Sequence, residues 1–250
     1  MNKNIIVGVL LIFISTITAQ NIEFPKPTID LSKVDISKID LSKLNMDKFN
    51  FGFKLSPAIG WLDVNHYDMQ AGGASLKFGI GGIAEYTINN LISVVSGINY
   101  NTFGGYAFDN QSLNDTTTIK INYSQIEVPL GIKIKTPTLG RISYFLQGGL
   151  TSGFVLSASE KHKKTNKNQV SSTVDIYSLT IPTNAGFLVS VGSQFKITKK
   201  INMIGEIAYK RILTNTADAS AYIKSGRYSN KSDLQIYPGS MEFSLGFLFK

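Results

Sequence analysis

Apolar and polar side chains alternate strictly along residues 126–135. The even positions of this stretch are all aliphatic: Ile126, Val128, Leu130, Ile132 and Ile134. The odd positions include the charged residues Glu127, Lys133 and Lys135. Successive side chains of a β-strand point to opposite faces. The stretch therefore predicts a strand with one wholly aliphatic face and one charged face.

The same alternation recurs in seven more segments, and no helical stretch separates them. The predicted strands are residues 49–61, 74–88, 91–102, 118–135, 141–157, 178–197, 201–213 and 239–250. Their connections alternate between long and short, as in outer membrane barrels, which have an even strand count, short periplasmic turns and longer extracellular loops. The pattern predicts an all-β fold, an eight-stranded antiparallel up-and-down transmembrane β-barrel with an N-terminal periplasmic extension and both termini periplasmic.

The main alternative is a secreted β-sandwich or lipocalin-like barrel, which would turn its apolar side chains inward. An aliphatic face opposite a charged face favours the membrane barrel. The alternation changes phase near Ser124, because Ile119, Ile121 and Tyr123 are odd. This change predicts a β-bulge there. We also expect a local irregularity at Pro129, which has no amide hydrogen to donate.

Residues 1–19 have the features of a signal peptide. Lys3 precedes an apolar run over residues 5–17, and Ala19 is a small residue at the expected cleavage point. The run is shorter than the roughly 20 residues that a membrane helix needs. The alternative is a buried strand or helix of the fold.

Residues 20–48 form a predicted periplasmic linker. A five-residue repeat starts at Asp30, Asp35, Asp40 and Asn45, each copy with a Lys at its fourth position. The repeat resembles the pentapeptide-repeat pattern, which forms a square β-helix. Four copies make only about one coil, and solenoids need several units to bury a core. We therefore favour an extended linker with spaced apolar anchors, which is a candidate contact site.

Composition narrows the possible chemistry. The chain has no Cys, which excludes disulfides and thiolate catalysis, and its formal net charge is +8. The Lys residues are spread over loops and one face of the strands, so we expect no nucleic-acid partner and favour anionic lipid headgroups or a solvated surface. Lys161, Lys163, Lys164 and Lys167 are candidate contacts to lipopolysaccharide phosphates. The alternative is a solvated loop.

Nine charged residues share the predicted inward face: Lys54, Lys77, Glu85, Glu127, Lys133, Lys196, Glu206, Lys210 and Glu242. An eight-stranded barrel is just wide enough for side chains to fill its interior. Because an unpaired buried charge is costly, we expect these residues to pair across the lumen and close it. A proton or ion pathway is the alternative. In the last strand Phe243, Phe247 and Phe249 form a candidate C-terminal strand signal.

Some small outer membrane barrels modify lipids with His, Ser and a carboxylate. His66 lies near Asp63 and Asp68, and His162 lies in the basic loop. No Gly-x-Ser-x-Gly elbow or metal-ligand spacing is present. We predict that the chain is not an enzyme and has no catalytic residue, no metal and no cofactor.

Several stretches resemble the PorT-like outer membrane β-barrel proteins of Bacteroidota: Tyr123–Lys135, Gln147–Leu150, Gly186–Gly192 and Leu245–Lys250. The resemblance implies an eight-stranded barrel in the Gram-negative outer membrane, and the family's namesake is required for type IX secretion. We expect an interaction or assembly component, possible partners being outer membrane lipid, lipopolysaccharide and other outer membrane or periplasmic proteins. The alternatives are a loop-presenting adhesion or ligand-binding barrel and a lipid A-modifying enzyme acting through His66.

Overall fold

A computed structural model describes residues 46–66, 69–112, 115–164, 173–225 and 234–250. The predicted signal peptide and the repeats before Met46 lie outside these ranges. The strands are β1 (Phe49–Asn65), β2 (Met69–Gly73), β3 (Ser75–Thr87), β4 (Ile92–Ser112), β5 (Asp115–Lys135), β6 (Ile142–Lys164), β7 (Val174–Asp175), β8 (Thr183–Lys196), β9 (Ile201–Ile212) and β10 (Gln235–Phe249). The described ranges contain one short α-helix, α1 (Ala219–Lys224), and two single-turn 3₁₀ helices, Met46–Lys48 and Tyr177–Leu179. No helix in the described ranges is long and apolar enough to span a bilayer.

Eight of these strands close into an antiparallel up-and-down barrel. The order around it is β4-β3-β1-β10-β9-β8-β6-β5, and the pairing of β4 with β5 completes the ring. β1 pairs with both β3 and the last strand, β10. β2 and β7 are short additions on β4 and β6. The predicted all-β fold is therefore confirmed, and its eight strands correspond to the eight predicted segments.

The barrel has two unlike ends. Three tight connections at residues 88–91, 136–141 and 197–200 lie at one end together with Met46 and Lys250; we call it the turn end. We call the opposite end the loop end. The strands β4, β5 and β6 extend towards it and are 21, 21 and 23 residues long. A strand needs only about 9–11 residues to cross a bilayer. These three strands are therefore long enough to cross a bilayer and extend well beyond it.

Two predicted loops are largely strand. β1 runs on to Asn65, and β4 pairs with β5 as far as Asp109 opposite Thr117. The predicted strand bounds leave residues 103–117 as a connecting loop, and these residues are rich in Gly, Asn and Asp, which have weak strand propensity. The prediction was wrong because the inward side chains Phe103 and Ala107 are fully buried in an apolar core.

The predicted bulge in the fourth segment is also wrong. Odd positions of β5 face the interior continuously from Ile119 to Lys133. The extra residue lies in the neighbouring strand β6, where Leu156 and Ser157 are both exposed and the pairing shifts. Along β5 the interior side chains change from charged to apolar, so the hydrophobic phase changes without a change in the backbone. The irregularity predicted at Pro129 is present, because pairing with β4 skips Val128 and Pro129.

Apolar side chains fill the interior at the loop end. This loop-end core consists of Leu62, Met69, Phe103, Ala107, Ile119, Ile121, Tyr123, Val155, Ala158, Ile176, Leu179, Ile212, Ala217, Tyr222, Leu234 and Ile236. Residues 176–179 and 217–222 close over it, since the Asp218 amide donates to the Leu179 carbonyl at 2.9 Å. A second, smaller apolar layer nearer the turn end contains Ile83, Val95, Ile204 and Leu248.

Candidate functional site

A charged cluster crosses the middle of the barrel interior. The Lys210 ammonium on β9 lies 2.6 Å from Glu127 on β5 and 3.1 Å from Glu242 on β10. Lys54 on β1 lies 3.6 Å from Glu206 on β9. All five side chains are at least largely buried, so pairing offsets part of the cost of removing them from water. We call these residues the central cluster.

A second charged cluster lies nearer the turn end. Glu85 is fully buried and accepts from Lys133 at 2.8 Å and from Lys135 at 2.6 Å. The Lys133 ammonium also lies 4.5 Å from the centroid of the Phe145 ring. Lys135 was not among the nine predicted residues, although its odd position in β5 puts it on the same face. Its partner becomes evident only when β3 and β5 are brought together.

Two of the nine residues lie outside these clusters. Lys77 is buried and donates to the Asn122 side chain at 2.5 Å. Lys196 is exposed at the turn end, where it lines an open cavity. The structure thus brings seven of the predicted residues into ion pairs and separates the other two from them.

Buried amides surround the central cluster and were missed by the sequence analysis. Asn184 donates to Gln125 at 2.7 Å, and both Gln125 and Asn99 donate to Glu127 at 3.4 Å. These amides add hydrogen bonds to the Glu127 carboxylate beyond the one from Lys210. Each of them lies at an inward position of a strand with period-two alternation. Its place in that alternation was the sequence signal that could have identified it.

Side chains fill the interior from the smaller apolar layer to the loop end. The central cluster lies between the smaller apolar layer and the loop-end core. Two voids beside Lys210 have volumes of about 20 Å³ each. A void of that size holds about one water molecule. The arrangement resembles a packed polar core rather than a channel.

The exterior carries a continuous apolar belt with aromatic rings towards both ends. Phe243, Phe247 and Phe249 of β10 face outward, and Phe53 lies 5.7 Å from Phe247 and 6.1 Å from Phe249, centroid to centroid. Towards the loop end, the Trp61 and Tyr209 rings are 6.0 Å apart. An outward apolar band between two aromatic girdles is typical of a barrel embedded in a membrane.

Sequence comparison identifies the family. The profile described as "Outer membrane protein beta-barrel domain" matches residues 32–219, well over half of the chain. The chain belongs to this family. It is therefore an outer membrane β-barrel protein. No curated protein sequence matches it.

Solved structures of outer membrane proteins resemble this barrel distantly. Neisserial surface protein A is 12% identical, with a TM-score of 0.44, and the match covers 81% of this chain and 97% of that one. OprG from Pseudomonas aeruginosa is 8% identical, with a TM-score of 0.43, covering 80% and 94%. Ail, the attachment invasion locus protein of Yersinia pestis, solved with the heparin analogue sucrose octasulfate, is 12% identical, with a TM-score of 0.38, covering 81% and 99%.

The predicted lipid-contact residues of this outer membrane barrel lie at the end of β6. Lys161 is exposed and pairs in register with Lys120 on β5, whose ammonium lies 5.5 Å from the centroid of the Tyr106 ring. Lys163 and Lys164 belong to the same strand, and Lys167 lies outside the described residues. Like charges directly opposite each other are unfavourable, so an anion between Lys120 and Lys161 would relieve their repulsion.

The two His residues are not arranged as a catalytic pair. His66 forms an isolated bridge with Met69, while Asp63 forms an ion pair with Arg211. Asp68 lies outside the described residues. His162 contacts Glu160. In the described part of the chain, no group of three or more His, Asp or Glu side chains is placed to hold a metal.

An open cavity of about 420 Å³ lies at the turn end of the barrel. Five cationic side chains line it: Lys48, Arg141, Lys196, Lys199 and Lys250. Asp47 is the only acidic residue of its lining among the residues that the structure describes, and the amides of Asn50, Gln194 and Asn202 line the wall. Lys196 is the one member of this set that the sequence analysis had singled out.

Proposed function

We propose that this outer membrane barrel is a closed interaction or assembly component without enzymatic activity. The observation that supports this function is the interior, in which the central cluster is packed between two apolar layers. A barrel filled in this way offers its two ends to partners and no path for solutes. In this proposal residues 1–19 are a signal peptide, residues 20–48 are periplasmic and both termini lie in the periplasm. The turn end is then periplasmic and the loop end extracellular.

Conductance tests the closed interior. The purified barrel, inserted into a planar lipid bilayer, is expected to add no steady ionic current. As a control, an open porin mixed with the same preparation should show its usual conductance in the bilayer. A reproducible unitary current from the barrel alone would contradict the proposal.

The more specific form of the proposal is a role in type IX secretion or gliding of a Bacteroidota cell. Its support is the resemblance of the stretches around Tyr123–Lys135 and Leu245–Lys250 to PorT-like proteins. The expected partners are other outer membrane or periplasmic proteins, held by the linker or by the barrel ends. The test compares a gene deletion with a chromosomal copy lacking residues 21–45. Reduced display of secreted surface proteins in both strains supports the role, and unchanged display in both contradicts it.

A second candidate function is binding of ligands or cells at the loop end. It is favoured by the pair of half-buried Lys120 and exposed Lys161, which lies on a part of the sheet that continues past the apolar belt. Lipopolysaccharide phosphates are the proposed anions there, with Lys163, Lys164 and Lys167 as further contacts. Changing Lys120 and Lys161 to Gln should weaken binding of the purified protein to lipopolysaccharide vesicles. A lipid A-modifying role of His66 has less support, because Asp63 is held by Arg211.

A further inference from the structure

The cations in the interior and the cations at the turn end differ in whether a carboxylate lies within ion-pair distance. In the interior, Lys54, Lys133 and Lys210 each lie within ion-pair distance of a carboxylate. Among the described residues, none of the five cations around the turn-end cavity has a carboxylate at that distance. Among the described lining residues, five cationic side chains stand against one acidic side chain, which favours a positive potential in this cavity.

The backbone holds these cations close to one another. The Lys196 amide donates to the Arg141 carbonyl at 2.8 Å, which joins β8 to the start of β6. Lys196 is opposite Asn202 in the β8–β9 pair, and the tight turn carrying Lys199 joins these two strands. The Lys250 amide donates to the Lys200 carbonyl at 2.9 Å and brings the end of β10 to the same turn. Lys48 contributes from the opposite side and donates to the Ile88 carbonyl at 3.2 Å.

The cavity also offers neutral polar groups. The Asn89 side-chain oxygen accepts from the backbone amides of Leu91 and Ile92. The side-chain NH₂ of Asn89, which also lines the cavity, is therefore available to donate. A volume of about 420 Å³ lies within the range of small-molecule sites.

We propose that the turn-end cavity binds a compact polyvalent oxyanion. Phosphate groups fit this chemistry best, because Arg and Lys donate several charge-assisted hydrogen bonds to phosphate oxygens. Phosphates are offered both by soluble phosphorylated molecules and by the headgroups of anionic phospholipids. Because side chains fill the interior beyond the cavity, a ligand would enter it from the turn end.

Titration of pyrophosphate into the full-length protein in zwitterionic detergent tests the proposal. Calorimetry at low salt should show saturable binding of one pyrophosphate per barrel, weakened by high salt because the charges are screened. The test variant carries Arg141→Gln, Lys196→Gln and Lys199→Gln. It should bind about tenfold more weakly, if each exposed charge contributes a factor of about two.

The matched control carries Lys224→Gln, Arg227→Gln and Lys231→Gln, which removes the same charge from the connection between β9 and β10, at the loop end of the barrel. Its pyrophosphate affinity should stay within about twofold of the parent protein, because screening limits distant charges. Equal losses in the two variants would overturn the proposal, since binding would then reflect net charge alone. Thermal melts by circular dichroism show whether each variant retains its fold.

A second experiment, with lipid, distinguishes the two sources of phosphate. The barrel is placed in nanodiscs of phosphatidylcholine containing phosphatidylglycerol, and native mass spectrometry records the lipids retained. Retention of phosphatidylglycerol that is lost only in the cavity variant identifies a headgroup as the ligand. Pyrophosphate binding without such retention identifies a soluble anion. If neither pyrophosphate nor phosphatidylglycerol binds in a cavity-dependent way, the proposal is wrong.

Discussion

The ammonium of Lys210 on β9 reaches the carboxylate of Glu127 on β5 at 2.6 Å. β8 and β6 separate these strands in the ring, so the contact crosses the lumen rather than following a pair of neighbouring strands. The central cluster therefore holds opposite walls of the barrel together. This relationship makes the middle of the interior a structural core built from charged side chains, between two apolar layers.

Lys210→Met should destabilise the barrel strongly, because Glu127 and Glu242 would remain buried without their cation. The expected loss is about 3–5 kcal/mol of unfolding free energy, the usual cost of removing one partner from a buried ion pair. Urea unfolding of the barrel in lipid vesicles measures it. The triple variant Lys210→Met, Glu127→Gln, Glu242→Gln should recover much of the loss. A single variant as stable as the parent would contradict this role.

The two cations on Glu85 should differ in their contribution to stability. The Lys133 side chain is 1% exposed and Lys135 is 12% exposed. Lys133→Met should therefore lower the free energy of unfolding more than Lys135→Met, since it also removes the contact with Phe145. The same urea experiment compares the two variants. Equal losses would mean that burial does not control the strength of these pairs.

The accessibility of single cysteines to a water-soluble reagent should differ between positions along β5. The chain has no Cys, so single cysteines can be labelled without background. Lys120→Cys should react with an impermeant maleimide on intact cells, because the proposed orientation places it beyond the apolar belt at the extracellular end. Ile132→Cys should stay unlabelled in the lipid, and Ile121→Cys should stay unlabelled in the loop-end core.

The same reagent tests orientation. Lys199→Cys at the turn end should react only after the outer membrane is permeabilised, if that end is periplasmic. Labelling of Lys199→Cys but not Lys120→Cys on intact cells would invert the proposed topology.

Gly104 should be intolerant of a side chain. It has a φ of 116°, and an added Cβ would lie 2.2 Å from the Ile121 carbonyl oxygen. Gly104→Ala should cost at least about 1–3 kcal/mol, because the strained backbone and the clash add. Gly148→Ala is the matched control, since an added Cβ there has no atom within 4 Å. The pair is compared by thermal unfolding, and similar melting temperatures would contradict the prediction.

Period-two alternation was enough to predict the strands, their number and the lipid-facing side of residues 126–135. These features are local, because alternation follows from the geometry of one strand. It was also enough to predict seven of the charged residues that form ion pairs inside. It did not show that Glu85 would be shared by Lys133 and Lys135, or that Glu127 would meet Lys210 across the lumen. Those partners are far apart in sequence and depend on the closure of the ring.

The phase change at Ser124 shows the limit most clearly. From sequence alone it predicted a bulge in β5, whereas the strand is regular there and its apolar residues change from the outer to the inner face. Alternation reports only that the two faces of a strand differ. Which face is apolar depends on the surroundings of each segment. Within the membrane, lipid requires an apolar exterior; beyond it, water requires a polar exterior and an apolar core. The sequence determined where the strands alternate, and the tertiary structure decided which side of each alternation faces inward.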